Sequence, residues 1–409
     1  MAARLSIAVI GAGMGGLATA AALLRAGVDV TVYEQARKFA RLGAGIQVGC
    51  NAMQVLRGLG LEQRIRGEAF YPRSWNNRDW RTGEVRYDQI FGPTAEAKYG
   101  APYLLAHRGD LHATLASAVP AERIRLDHKL TGLDDLSRRK RGAGSVVLSF
   151  ADGSTAAHDG VVAADGVHSL VRELLFGAEK PSFTGRIAYR TTFPAALLDG
   201  YDIGECTKWW GEDRHIVIYY VKPDRSEVYF VTSQPEPGFT VESWSAKGDM
   251  PTLRAAFDGF HPQVRCVLAA CPDVHKWALA DRDPLPQWHD RNVTLLGDAC
   301  HPMTPYMAQG AAMALEDAAV LSRLLAEVDD SAGIPGAFRR LEATRKPRTS
   351  TRGPPRWRPD QGPGIMTPAQ PGSGFLTGDA LSWLVSQACG ERVAACERNR
   401  GSRPWPGGP

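Results

Sequence analysis

The sequence predicts an α/β fold in which a parallel sheet is interrupted by an inserted antiparallel one. Three observations carry that expectation. The short apolar run from Leu5 to Ile10 is of buried-strand type and passes through Gly11-Ala-Gly13-Met-Gly15-Gly16 into Ala- and Leu-rich sequence ending near Arg25, which reads as strand, tight turn and helix. Strand-like runs from Ile187 to Thr192, Ile216 to Val221 and Glu227 to Thr232 occupy the middle of the chain, the last two joined by the hairpin connection Lys222-Pro-Asp-Arg225. The parallel pattern returns from Asn292 to Leu296, a strand leading into Gly297-Asp298 and then a helix from about Gly310 to Leu325.

Taken in order, Gly27 closes the first helix, Val28 to Tyr33 is a β-branched strand, and Glu34 stands at its carboxyl end, so the first 34 residues form a Rossmann-like βαβ unit. Val146 to Phe150 is a further strand, followed by an Asp152-Gly153 turn. The expected organisation is a parallel-sheet domain in two parts, 1–170 and 286–346, around an antiparallel domain, 171–285. Beyond it, 347–409 is an atypical Pro/Gly/Arg-rich tail, expected to be disordered apart from a short helix from Ala380 to Ala395, with Pro347 stopping the preceding helix.

Composition excludes several classes. The 409 residues carry 48 Lys+Arg against 44 Asp+Glu, a net charge of +4. The tail alone holds eight Arg and four acids, which leaves 40 basic and 40 acidic side chains in the body. No broad positive field is then expected to attract nucleic acid or membrane. Seven Cys without a C-x-x-C pair match neither a zinc site nor a disulfide framework, so no metal is expected and a reduced cytoplasm is the expected setting. The apolar start is too short for a signal-peptide core, and no stretch approaches the roughly 20 apolar residues of a membrane span.

The glycine turn supplies the first chemistry. Gly11-x-Gly13-x-x-Gly16 after a strand and opening a helix sets backbone N–H groups and the positive helix end against a pyrophosphate. Glu34 is placed to accept hydrogen bonds from a ribose hydroxyl. On these residues alone the dinucleotide is either FAD or NAD(P).

Two later segments, Ala164-Asp165-Gly166-Val-His168-Ser169-Leu-Val-Arg172 and Gly297-Asp298-Ala-Cys-His301-Pro302 followed by Gln309-Gly310, resemble the remaining fingerprints of the FAD-dependent aromatic hydroxylases of the p-hydroxybenzoate hydroxylase type, the class A flavoprotein monooxygenases. The resemblance runs from about Ile7 to Lys346. It implies non-covalent FAD, NADH or NADPH as a transiently bound reductant, O2, a small aromatic acid as substrate, and a monomer or homodimer. It also assigns Gly11, Gly13, Gly15, Gly16, Glu34, Gln35, Gln47, Arg108, Leu130, Asp165, Asp298 and Gly310 to the cofactor. In that reading Asp298 holds a ribityl hydroxyl, and the helix opening at Gly310 directs its positive end at the flavin ring; without it, Asp298 reads as a helix cap. A small departure is Ala163 where the family usually has Gly.

Further segments, Arg41-Leu-Gly-Ala-Gly-Ile46, Lys208-Trp-Trp210, and Asp213 through Tyr220, resemble the branch of the family that hydroxylates a ring at the carbon bearing a carboxylate and releases CO2. Strand alternation puts His215, Val217 and Tyr219 on one face, either facing the flavin, where an imidazole and a phenol could bind and deprotonate a ring hydroxyl, or as polar residues on an exposed face. The resemblance adds Gln47, Cys206 and His301 to the pocket, His301 in a substrate or a structural role. Where that branch carries a His, this chain has Gln47, which can exchange hydrogen bonds but takes no proton, so any base must be His215 or Tyr219. The rival readings are a ring hydroxylase that retains the carboxylate or an epoxidase on the same fold, and a flavin-binding redox protein uncoupled from hydroxylation, which the abrupt break at Arg345-Lys-Pro-Arg makes worth carrying. The break itself reads as a natural tail or as a change of reading frame.

Overall fold

The computed structural model describes residues 5–41, 44–135, 145–239 and 247–349. They lie in the unit Met1–Met366; the second unit, Thr367–Pro409, and with it the helix expected from Ala380 to Ala395, is outside the described residues, as is nearly all of the predicted tail.

A six-stranded sheet forms the first layer. Its parallel strands are β1 (Ser6–Ile10), β2 (Asp29–Tyr33), β7 (Ile124–Arg125), β11 (Gly160–Ala163) and β18 (Val293–Leu295), with β17 (His289–Asp290) antiparallel at one edge. The register aligns Ile10 with Tyr33 and Ala163, and Ala163 with Leu295. Gly11, Glu34, Asp165 and Gly297-Asp298 therefore emerge together just past the carboxyl ends of adjacent strands, where open α/β sheets bind ligands. The helix Met14–Arg25 is buried from Leu17 to Leu23, between this sheet and the long helix Gly310–Ala326. A three-stranded sheet, β8 (Leu130–Asp135), β9 (Val146–Phe150) and β10 (Thr155–His158), and a two-stranded one, β3 (Gly45–Val48) with β6 (Leu104–His107), complete this part.

The second layer is a seven-stranded sheet. Its antiparallel core is β16 (His275–Asp281), β12 (Ser182–Pro194), β15 (Glu227–Pro235), β14 (His215–Tyr220) and β13 (Cys206–Trp210), and the predicted hairpin is its β14–β15 pair. Two further strands, β4 (Ser74–Asp79) and β5 (Val85–Ile90), join beside β13, with β4 running parallel to it. The sheet is thus mixed and is not confined to 171–285. β4 is mostly polar, and β5 leaves its apolar Val85, Tyr87 and Ile90 exposed, so neither shows the buried apolar run that marks a strand in sequence.

The closing helix Ile334–Thr349 contains Pro347 and continues past it, contrary to the expected stop. Pro347 lies in the last turn, where its missing N–H leaves a single carbonyl without a donor. Arg348 then donates twice to Glu316, at 2.6 and 2.8 Å, and Thr349 Oγ1 bonds back to the Arg345 carbonyl at 3.2 Å. The folded unit therefore extends beyond Lys346.

Candidate functional site: a cofactor cleft and a buried sheet face

The glycine turn divides its labour. Gly11 has a φ of +95°, and a Cβ there would meet the Ala164 carbonyl at 2.6 Å, so it permits a turn close against β11 that other residues could not make. A Cβ at Gly16 would fall 1.9 Å from the Gly11 carbonyl oxygen, and one at Gly15 within 3.2 Å of Ala314 on the long helix. Gly15 is therefore a helix-packing position. Gly13, the N-cap of the first helix, faces open space, and the backbone is there free to receive a phosphate.

Glu34 is held in place: Oε2 accepts from Ala12 N and Oε1 from Ala36 N, both at 2.8 Å. Each oxygen keeps a lone pair for a ribose hydroxyl. Asp165 accepts from Val171 N at 3.2 Å through Oδ2, while Oδ1 is buried with no partner; desolvation raises its pKa against the hydrogen bonds it receives. Asp298 is accessible although protein surrounds it, so it opens onto a cleft; desolvation raises its pKa, with the His301 and Arg108 charges opposing. Its Oδ1 lies 3.9 Å from where a Gly310 Cβ would stand, at the start of the long helix. Arg108 is exposed, its N–H bonded to the Ala44 carbonyl at 2.8 Å. Open backbone at Gly13, an unpaired buried Asp165 oxygen and an accessible Asp298 are together what a flavin dinucleotide requires, and the residues present fit it. Gln35 is exposed beside Glu34, and Leu130 is buried in the cluster with Tyr33 and Phe150, where it contributes packing.

The second half of the site is one face of the seven-stranded sheet. Register pairs Cys206 with Tyr219 and Trp210 with His215, then Tyr219 with Tyr229 and His215 with Ser233, so these side chains share a face. It meets the cofactor part: a Cβ at Gly45 would fall 2.5 Å from the Tyr229 ring and 2.8 Å from the Tyr219 hydroxyl. Tyr306, four residues before the Gly310 helix, stands 5.9 Å from the His215 ring and 3.3 Å from Ser233 Oγ. The opposite face is covered by protein, Trp209 stacking on His261 at 5.0 Å.

His215, Tyr219 and Cys206 are therefore brought together, all buried. His215 Nδ1 has no hydrogen-bond partner. Burial, then the Lys208 and Arg186 charges, hold the His215 pKa well below its ordinary value; burial, with Tyr229 next, holds the Tyr219 hydroxyl well above its own. Neither is charged at neutral pH. Burial likewise keeps Cys206 as a thiol. Gln47 joins at the β3 side, its Oε1 accepting from the Tyr103 hydroxyl at 2.5 Å.

His301 is engaged elsewhere. Its Nε2 lies 2.6 Å from Asp317 Oδ2 in a buried pair, and Asp317 also accepts from Gly297 N at 3.3 Å and from Arg345 Nε at 2.6 Å. Burial opposes charge on His301, but Cys300 and Asp317 raise its pKa well above the usual value. Burial would likewise raise Asp317, yet the His301 and Arg345 cations hold it at about 2. This pairing is what a structural role for His301 calls for, and its Nδ1 is left buried without a hydrogen-bond partner. Sequence reasoning missed the pairing, together with Lys208 and Tyr306 on the sheet side; strand alternation from Cys206 would have found Lys208.

Cofactor turn, unpaired aspartate and an enclosed aromatic face together define a flavoprotein monooxygenase of the α/β type. The chain belongs to the FAD binding domain family, which matches residues 4–351. It is 46% identical over 352 residues to 6-hydroxynicotinate 3-monooxygenase of Bordetella bronchiseptica, covering 84% of this chain and 88% of that one, and 44% identical over 346 residues to the enzyme of the same name from Pseudomonas fluorescens, with the same coverage. Among solved structures, a salicylate hydroxylase substrate complex superposes with a TM-score of 0.74 at 25% identity, covering 99% of each chain. The protein is an FAD-dependent monooxygenase with NAD(P)H as its reductant. No helix among the described residues is long and apolar enough to cross a membrane, and no group of three metal-ligating side chains occurs among them.

Proposed function

We propose that the protein hydroxylates 6-hydroxynicotinate at the carboxylate-bearing carbon, giving 2,5-dihydroxypyridine and CO2. The observation that carries the reading is the buried face on which an unpartnered His215 Nδ1 and the Tyr219 hydroxyl stand opposite the cofactor side, joined to the relatives' names. Bound FAD, reduced by NAD(P)H, supplies the activation of O2. One oxygen atom enters the ring and the other leaves as water, and loss of CO2 returns the bonding pair to the ring.

The residues around the ring position it and exclude water. Neutral His215 accepts a hydrogen bond from the ring hydroxyl but is a weak base in its buried, cation-flanked place. Tyr219 stays protonated and donates a hydrogen bond that orients the ring, while the hydrogen bond accepted by His215 leaves the hydroxyl oxygen's electron density free to flow into the ring, where the electrophilic oxygen attacks. Tyr219→Phe should therefore keep its FAD and lose about 10²-fold in kcat; steady-state kinetics with the flavin spectrum checks this, and unchanged turnover would remove Tyr219 from the reaction.

The assignment is tested by NADH oxidation with 6-hydroxynicotinate, salicylate and 4-hydroxybenzoate, with product and CO2 measured. 6-Hydroxynicotinate should stimulate oxidation and release CO2 in step with product. Salicylate turnover to catechol would replace the pyridine ring by a benzene ring, and stimulated oxidation that yields only H2O2 would refute the substrate.

A further inference from the structure

Lys208 is a buried cation that the chemistry above leaves unused. It sits in the middle of β13 and is 5% exposed. Its register partners are Val217 on β14 and Asn77 on β4, so its side chain leaves the sheet on the face that carries Cys206, His215 and Tyr219. The ammonium lies 3.9 Å from the centroid of the Trp210 ring and 6.0 Å from that of Trp75. Its walls are aromatic, and among the described residues no carboxylate pairs with it.

Among the described residues, other buried cations are held by groups of the fold: Arg186 donates to the Ser233 hydroxyl and to the Asp213 and Ser233 carbonyls. Arg345 is bound to Asp317 and Glu316, and Arg172 to Glu179. Arg190, on the same face as Lys208, stacks on Trp277 at 4.1 Å. An ammonium taken out of water without a counter-ion is costly, and burial pushes the Lys208 pKa down to about 7, with neighbouring Cys206 opposing. Its field reaches both His215 and Cys206, so it belongs to the same buried face as the candidate ring-binding groups.

We propose that Lys208 binds the carboxylate of the aromatic acid substrate and selects for it. This rests on the aryl-carboxylate reading above. The incoming anion completes an ion pair that the fold leaves open, and the two Trp rings keep water from competing for it.

The test uses the FAD-loaded enzyme and follows the flavin absorbance change on binding. Two ligands are compared: 6-hydroxynicotinate and 2-hydroxypyridine, the same ring without the carboxylate. Lys208→Met should weaken the acid about 100-fold and leave 2-hydroxypyridine within twofold, whereas a packing defect would weaken both. Lys208→Arg should keep most of the acid's affinity. The groups on this face around Lys208 are Cys206 on its own strand, His215 and Tyr219 on β14, Asn77 on β4, and Arg186 and Arg190 on β12; thiol, neutral imidazole, phenol and amide stay uncharged near pH 7, and a guanidinium is a permanent cation. Acid affinity in the wild type should therefore fall as pH rises above about 7, and that slope should vanish in Lys208→Met. Equal binding of the acid by wild type and Lys208→Met overturns the proposal. Lys208-dependent binding of salicylate but not 6-hydroxynicotinate would sustain it while replacing the pyridine substrate. No response to any aryl carboxylate would sink both.

Discussion

Arg345→Met should destabilise the protein by about 3–5 kcal/mol, the usual cost of removing one partner from a buried ion network. Arg345 is fully buried and donates to Asp317 at 2.6 Å, to Glu316 at 2.7 Å and to the Met313 carbonyl at 3.3 Å. Without it, two carboxylates stay in the interior. Glu316 keeps Arg348 and Asn51, and Asp317 keeps His301, so the loss falls short of unfolding the chain outright. The effect should also reach the cofactor, because Asp317 holds Gly297 N and His301 on either side of Asp298. Urea unfolding and flavin content of the purified variant are the measurements; a stability change below about 1 kcal/mol would show that the network is not the fold's anchor.

Gly16→Ala should abolish FAD loading and with it all monooxygenase activity. Helix propensity argues the other way: alanine in place of glycine favours a helix interior by about 1 kcal/mol. Sterics decide, since the added Cβ would stand 1.9 Å from the Gly11 carbonyl oxygen and 3.4 Å from the Val9 side chain. Backbone oxygen cannot turn aside as a flexible side chain does. The turn must open, and the Ala12 N–H bond to Glu34 opens with it. Gly13→Ala, whose Cβ meets nothing within 4 Å, is the matched comparison: it should fold normally and weaken FAD only through crowding of the phosphate. Equal flavin content in Gly16→Ala and wild type would refute the steric account.

The cofactor half of the site was legible because its requirements are local. Gly11, Gly13 and Gly16 answer to backbone clearance, Glu34 and Asp298 follow strands whose apolar runs announce their ends, and Asp165 was picked out by the family resemblance of its segment. His215 and Tyr219 were placed on one face by alternation, and the structure adds what lies across from them. The ionic network was not legible, since Arg345, Asp317 and Gly297 meet across two helices and a loop with no periodic signal between them. Pro347 misled for the same reason: its local cost is real, but ion pairs from Arg348 to a residue 32 positions earlier outweigh it. The strands Ser74–Asp79 and Val85–Ile90 were not legible because neither carries a buried apolar run; their place in the sheet is set by pairing, β4 against β13 and β5 against β4.

The reach of the closing helix has a practical edge for anyone trimming the chain. The change in composition invites a cut after Lys346, yet that cut discards both Arg348 bonds to Glu316 and the Thr349 bond to the Arg345 carbonyl. A shortened protein ending at Thr349 keeps them and should carry flavin like the full chain, while one ending at Lys346 should lose part of it during purification. Three residues that look like the beginning of the tail belong to the closing helix, and two of them carry bonds that tie it down.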